Sequence, residues 1–480
     1  MAFNHRFDEF YMNEVHLFDP SLGLGTSLVL VASLAVALGF EFVNGFHDTA
    51  NAVATVIYTR SLGPRKAVAW SGFCNFLGVY LGGTAVAFGI VSLLPVDLLV
   101  SIDSAKGLAM VMALLLSAIA WNLGTWLMAI PASSSHTLIG AILGVGLANS
   151  AFSGKGLGSG VNWAKALEVG LSLLISPIIG FVLAALLLTL IKKTVDAPEL
   201  YQPPKGDRPP PGWIRGTLLL TCTGVSLAHG SNDGQKGIGL VMLILIGVLP
   251  AHYALDPRVN PGEVNRIIAA TGEVQGLVER YVPEVDRANR LAELGDLRER
   301  LAGKAELSDV PRGERWGLRA DLIRVDDALR ALEKHEGDRL SGDDRGRLAH
   351  AREGLRSAVY YAPDWVLIAV ATALGTGTMV GWRRIVVTVG EKIGKSHLTY
   401  AQGAAAEVVA MTTIGLADYG GLPVSTTHVL SSGVAGTMAA NGSGLQWATV
   451  RNIGIAWILT LPVCMALSAL LYTVFRWLAS

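Results

Sequence analysis

Long apolar runs alternate with short polar interruptions along this chain, and the pattern predicts membrane helices. Apolar stretches approaching or exceeding the roughly 20 residues a helix needs to cross a bilayer read at 26–44, 67–95, 107–130, 164–191, 214–228 with 237–250, 364–381, 398–418 and 449–477. Two shorter apolar pieces, 136–149 and 428–440, follow Pro- and Ser-rich motifs; they are too short to cross alone and read as half-helices. A Pro/Lys/Arg-rich stretch, 192–215, separates a first half at 26–191 from a second half at 216–250 and 363–480. Residues 1–25 are polar and lack the basic start and early apolar run of a cleaved signal, so the first membrane helix is expected to be retained. The predicted fold class is an all-α polytopic membrane protein with broken helices.

The second half is interrupted at 251–362 by a segment holding about half of the chain's charged residues. It is patterned rather than random. Val264, Ile267, Ile268, Val274, Leu277, Val278 and Tyr281 fall on one helical face, and Leu318, Leu322, Val325, Leu329 and Leu332 alternate steps of four and three. This reads first as a soluble helical hairpin packing on itself and otherwise as a partner-binding or regulatory module, with no ligand constellation. Basic residues in short loops set orientation. Arg60, Arg65 and Lys66, then Lys192, Lys193, Lys205, Arg208 and Arg215, then Arg383, Arg384, Lys392 and Lys395 belong on the cytoplasmic side. One crossing by 214–250 then puts the insertion outside the cytoplasm of a cell (inner) membrane protein. The two halves thereby carry their motifs in opposite orientation, an inverted repeat.

Two polar motifs each occur twice within this apolar sequence. Asn44-Gly45-Phe46-His47-Asp48-Thr49-Ala50-Asn51 returns as His229-Gly230-Ser231-Asn232-Asp233-Gly234-Gln235-Lys236, and Pro131-Ala132-Ser133-Ser134-Ser135-His136 returns as Pro423-Val424-Ser425-Thr426-Thr427-His428. Polar, helix-breaking sequence at membrane depth is tolerated where it is buried in protein or lines a cavity. Repeated in matching places of two halves, it points to a transporter's substrate site. Pro starts a helix without wasting a donor, and the hydroxyls that follow sit beside the free N–H groups of the first turn, a ready anion site. Plain N-capping is the simpler account of one copy, but two copies with three hydroxyls each argue beyond it. Asp48 and Asp233 are costly inside apolar sequence unless they serve transport. Beside an anion site they can accept a hydrogen bond from a protonated anion, hold a cation or carry a proton. His47, His136, His229 and His428 are weaker signals; their spacing offers no metal cage, and His136 and His428 are placed to bond into the anion shell.

Composition agrees with this reading and narrows it. Half the residues are hydrophobic, mean hydropathy is +0.46 and glycine is abundant, as close-packed membrane helices require. Zero formal net charge argues against a nucleic-acid partner. Cys74, Cys222 and Cys464 stand far apart in apolar runs and suit packing rather than a disulfide or metal framework.

At these motifs the chain strongly resembles the inorganic phosphate transporter (PiT) family, and more closely its bacterial low-affinity branch. Gly230-Ser231-Asn232-Asp233 and Gly45-Phe46-His47-Asp48-Thr49-Ala50-Asn51 look like the family's Gly-x-Asn-Asp-x-x-Asn pattern, with His47 at the first Asn position, and the paired Pro–hydroxyl–His segments match on both sides. Segments at 121–125, 234–237 and 381–384 also look like the bacterial branch. The resemblance implies that phosphate sits between Ser133, Ser134, Ser135 and Ser425, Thr426, Thr427, with Asp48, Asn51 and Asp233 nearby. His47, His136, Asn232 and His428 would stand just behind. Two departures bear on coupling. Lys236 stands where the family often has Asn, and of two positions that are acidic in sodium-coupled members, here Asn75 and Glu407, only Glu407 is acidic. A fixed ammonium at Lys236 would do what bound sodium does elsewhere, which favours proton coupling and makes Glu407 an added proton carrier, unless Lys236 or a backbone donor pairs with it.

The leading expectation is therefore a low-affinity, proton-coupled phosphate symporter working by alternating access, in the lipid bilayer, with metal–phosphate complexes as a compatible cargo and a homodimer as a compatible assembly. The alternatives are sodium coupling, or carriage of another tetrahedral oxyanion such as sulfate. Sulfate cannot donate a hydrogen bond at neutral pH, so the two Asp residues favour phosphate. A membrane sensor would not need the costly Asp pair, and no nucleophile, base and orienting group stand together as an enzyme would require. No cofactor is expected.

Overall fold

The computed structural model describes residues 23–478 apart from 49, 92, 94–104, 155, 157–159, 205, 207, 259, 260 and 338. Among them there are helices and turns but no strand, only the single bridge Gly394–Leu445. The chain divides into two compact units, Met1–Ile244 with Pro363–Ser480, and Leu245–Ala362.

In the first unit the helices are α1 (Leu24–Asp48), α2 (Ala50–Tyr58), α3 (Pro64–Leu81), α4 (Ala85–Val91), α5 (Ala105–Leu127), α6 (Ser134–Ser153), α7 (Trp163–Thr194) and α8 (Gly212–Val248, whose last turn falls in the second unit). Among the described residues five helices are long and apolar enough to cross a membrane: Leu24–Tyr58, Gly107–Leu127, Ser134–Ser153, Trp163–Thr194 and Trp447–Leu478. A sixth is a pair, Asp364–Thr378 and Arg383–Lys392, bent by 55°.

Three expectations are corrected here. The stretch 214–250 is not broken: α8 runs unbroken for 37 residues through its polar motif. Its glycines serve close approach rather than breakage. A Cβ at Gly230 would lie 2.3 Å from the carbonyl oxygen of Asn75 on α3. The stretch 67–95 does not form one helix, because α3 ends at Leu81 and α4 begins at Ala85. The piece 136–149 is longer than a half-helix. It extends to 20 residues, since Ser133 caps it at one end and Gly154 terminates it in the left-handed region at φ 67°. Its counterpart in the second half remains short, at 16 residues.

The second unit contains α9 (Pro261–Tyr281), α10 (Glu284–Leu301), α11 (Arg315–Glu336) and α12 (Gly342–Ser357). The two apolar faces seen in the sequence belong to α9 and α11, and they are buried with Leu294, Leu297 and Leu301 of α10 and Leu348, Ala351 and Leu355 of α12. Four helices rather than a hairpin share this core, because the apolar stripes of α10 and α12 are only three residues long and vanish among their charges. Arg319 is buried within it, donating to the carbonyls of Ala254 (2.8 Å) and Val359 (2.7 Å), and burial lowers its pKa to about 10.

The first unit is completed by α13 (Asp364–Thr378), α14 (Arg383–Val387), α15 (Tyr400–Tyr419), α16 (Thr426–Asn441) and α17 (Trp447–Leu478). Its packing is reciprocal. The helix after the first hydroxyl triplet, α6, packs on α17 from the other half, and the helix after the second triplet, α16, packs on α7 from the first. Small residues permit the contact: a Cβ on Gly144 of α6 would lie 2.2 Å from the Met465 carbonyl of α17, and one on Gly436 of α16 would lie 2.2 Å from that of Phe181 on α7. Both partner helices run 32 residues with an internal proline, Pro177 or Pro462. They leave Leu167, Leu171, Leu174, Ile178, Ile458 and Leu470 exposed, as a lipid-facing surface demands.

Candidate functional site

Each hydroxyl triplet divides its work in the same way. The first hydroxyl caps its helix: Ser133 Oγ accepts from the backbone N–H of His136 at 3.2 Å, and Ser425 Oγ from that of His428 at 3.1 Å. Capping thus accounts for one hydroxyl per triplet. The others reach inward. Ser134 Oγ donates to Asp48 Oδ2 at 2.9 Å, and Thr427 Oγ1, from the other half, donates to Asp48 Oδ1. Ser135 Oγ donates to the Val424 carbonyl at 2.8 Å and accepts from Lys236 Nζ at 2.6 Å. Thr426 is buried beside them at the first turn of α16.

The second motif supplies opposite charge at the same place. Lys236 Nζ lies 2.5 Å from Asp233 Oδ1, one turn back on α8, and neither side chain is exposed. Ser134 Oγ is also 3.4 Å from Asp233 Oδ2, so one hydroxyl stands between the two carboxylates. His229 Nε2 approaches Asp233 at 3.4 Å and Asp48 at 4.0 Å, while His47 Nδ1 lies 3.4 Å from Asp48 and its Nε2 is 3.1 Å from Thr125 Oγ1. Donor atoms of Asp48, His229 and Asp233 lie within 4.8 Å of one another, close enough to share a cation. Spacing along the chain could not show this, because Asp48 and His229 lie in different halves.

The remaining expected residues fall as follows. Asn75 is spanned by two neighbours: its Nδ2 donates to Thr378 at 2.8 Å and its Oδ1 is 3.1 Å from His229 Nδ1. Glu407 is fully buried and accepts from the hydroxyls of Thr55 and Thr221. Its partner is thus neither Lys236 nor a backbone donor, because two threonines on other helices satisfy it. Asn232 donates to the Leu422 carbonyl at 3.3 Å, turned toward the chain just before Pro423. His136 and His428 stack with ring centroids 4.5 Å apart, and His428 stacks on Trp457 at 3.9 Å. These histidines pack behind the capping hydroxyls, with His136 Nδ1 2.9 Å from Ser133 Oγ. The Asn51 side chain lies outside the described residues.

One residue escaped the sequence reading. Glu41, two turns before Asp48 on α1, is fully buried, with Asn44 Nδ2 3.4 Å from its Oε2. The signal was a lone acid inside an apolar run, the same signal that singled out Asp48.

Comparison with known proteins places this geometry. The phosphate transporter family model matches residues 44–468. The chain is 44% identical to the low-affinity inorganic phosphate transporter PitA of Escherichia coli K12, over 95% of this chain and 98% of that one. It is 43% identical to PitB of the same organism (94% and 97% covered) and 28% to a probable low-affinity inorganic phosphate transporter of Bacillus subtilis (93% and 97%). A solved structure titled the sodium-dependent phosphate transporter is 21% identical, with a TM-score of 0.54 and coverage of 94% and 99%, a likeness of fold alone. These named relatives are transporters rather than enzymes, and with the apolar helices they make this a multi-pass membrane protein.

Proposed function

The chain belongs to the phosphate transporter family, and we propose that it is a low-affinity symporter that carries inorganic phosphate into the cell with protons. The observation that carries this reading is the meeting at Asp48 of a hydroxyl from each half, Ser134 and Thr427, beside an Asp233 already neutralised by Lys236. Hydroxyls that serve a carboxylate can serve a phosphate oxygen by the same hydrogen bonds, and a monobasic phosphate can return one to the carboxylate. Sulfate lacks that proton and would face Asp48 as a bare anion, so the arrangement selects phosphate. The two helix N-termini behind the hydroxyls add positive dipole ends that favour an anion.

Two features support protons over sodium. The cation beside Asp233 is the chain's own ammonium, which holds a carboxylate's charge without recruiting an ion from solution. Asn75 is an amide engaged with Thr378 and His229, so it adds no negative charge for sodium. A second reading concerns the cargo. The convergence of Asp48, His229 and Asp233 favours entry of phosphate together with a divalent cation as a neutral complex.

Reconstituted protein in liposomes, loaded and diluted to impose a pH step or a sodium gradient separately, decides the coupling. Radiolabelled phosphate should accumulate with the inward proton gradient, fall when a protonophore is added, and ignore replacement of sodium by choline. A steep sodium dependence with no response to the pH step overturns the proton reading.

A further inference from the structure

We infer that Glu41 is the coupling carboxyl: it takes up a proton as phosphate enters the Ser134–Thr427 site and releases it as phosphate leaves. This rests on the proton-coupled reading above and names the group that carries the proton.

Among the described residues of the first unit four carboxylates are buried: Glu41, Asp48, Asp233 and Glu407. Three are satisfied. Asp48 receives two hydroxyls, Asp233 an ammonium, and Glu407 two hydroxyls. Glu41 differs, because among the described residues its Oε1 has no hydrogen-bond partner and its Oε2 receives the long bond from Asn44 alone. A buried anion with an unserved oxygen is costly, and protonation removes that cost. The acceptor for the added O–H stands next to it, since Asn44 Oδ1 is also buried without a partner. Protonated, Glu41 and Asn44 can satisfy each other.

The seat couples Glu41 to the anion site through α8. Gly237, which follows Lys236, lies so close that a Cβ there would be 2.3 Å from Glu41 Cγ and 2.5 Å from its Cδ. The backbone of α8 therefore lies flat against the carboxyl. The charged and titratable groups that act on Glu41 are Asp233, Lys236 and His229, all on α8, with the Asn44 amide on its own helix. Lys236 is the link: it pairs with Asp233 and donates to Ser135 in the hydroxyl triplet. Setting the histidines aside, three carboxylates here (Glu41, Asp48 and Asp233) face one ammonium. An arriving phosphate adds negative charge, and one proton moving from water to Glu41 offsets one unit of it. The step forms one O–H bond and moves no electrons.

The test uses the full chain in lipid nanodiscs. Phosphate is titrated calorimetrically at a series of pH values from neutral to alkaline, so that Glu41 is ionised before phosphate arrives at the upper end, in buffers of different ionisation enthalpy, which counts protons taken up per phosphate bound. Protons that phosphate itself exchanges are common to all variants, so the difference between variants isolates the protein. At the upper end the wild type should take up about one proton more than Glu41→Gln, and Glu41→Asp should regain it. Equal uptake there by the wild type and Glu41→Gln overturns the assignment. If Glu41→Gln binds no phosphate, Glu41→Asp decides: binding regained with the extra proton supports the assignment, and binding regained without it, or not regained, overturns it. Liposomes of wild-type protein separate the two levels. A pH step that drives wild-type uptake while the proton count is unchanged in Glu41→Gln sinks Glu41 alone, whereas wild-type uptake indifferent to that step sinks proton coupling itself.

Discussion

Asp48 and Asp233 are copies of one another in sequence and opposites in surroundings. Asp48 takes two hydroxyls, Ser134 from one half and Thr427 from the other, with His47 at 3.4 Å and His229 at 4.0 Å, whereas Asp233 is held by a buried ammonium at 2.5 Å. Hydroxyls can leave a carboxylate for an incoming anion at modest cost, since each such bond contributes about 1.5–3 kcal/mol and is replaced in kind. A buried ion pair cannot be opened so freely, because either partner left alone is an uncompensated charge. The duplication therefore supplied two carboxylates, and the residues around them gave each a different task. In the proposed cycle Asp48 exchanges partners, and Asp233 stays as a fixed dipole with Lys236.

The comparison breaks first at transport. Asp48→Asn keeps the shape but removes the charge around which both hydroxyls are arranged, and uptake is expected to fall about 100-fold or more with protein still in the membrane. Asp233→Asn should also abolish transport, and near-normal uptake by it would reduce Asp233 to a structural residue. Next in size is stability. Lys236→Met leaves Asp233 buried without its ammonium and should destabilise the fold by about 3–5 kcal/mol, while Lys236→Met with Asp233→Asn should recover most of that loss. Asp48→Asn should show no comparable loss. Thermal unfolding in detergent measures all three, and equal destabilisation by Asp48→Asn and Lys236→Met would erase the distinction. Within the triplets, Ser134→Ala or Thr427→Ala should weaken phosphate binding about 10–100-fold. Ser133→Ala and Ser425→Ala should instead cost about 1 kcal/mol of stability and leave affinity nearly unchanged; calorimetric titration separates the classes. The smallest effect is expected far from the site. Ser341→Cys in the second unit should transport normally and react with an impermeant thiol reagent in intact cells, given the basic loops that set orientation. Labelling only after the inner membrane is opened would reverse the topology.

What could be read from the sequence was what stood out against an apolar background. Both hydroxyl triplets and both aspartates announced themselves as polar residues in membrane segments, and so did the helical character of the insertion through its four-and-three spacing. What could not be read was three-dimensional partnership. Gly230 and Gly234 look like helix breakers, but α8 passes through them unbroken, since they make room for Asn75 and Val79 of α3. Glu407 looks like a partner for Lys236, yet two threonines from distant helices hold it. Glu41 was passed over because, unlike Asp48, it stands outside the repeated motifs, and its burial with Oε1 unserved among the described residues is what marks it out.

The reciprocal packing of α6 on α17 and α16 on α7 has a consequence for how the protein is made. A ribosome delivers α6 when residues 134–153 emerge, but its partner at 447–478 is among the last parts of the chain to leave. Until then the face of α6 that packs on α17 lacks that partner, and the nascent chain must be shielded in the insertion machinery or by lipid. The opposite pair is delayed likewise, since α7 waits for α16 at 426–441. Assembly therefore cannot proceed half by half, and a message truncated shortly before residue 447 would leave an orphaned helix for membrane proteases to recognise.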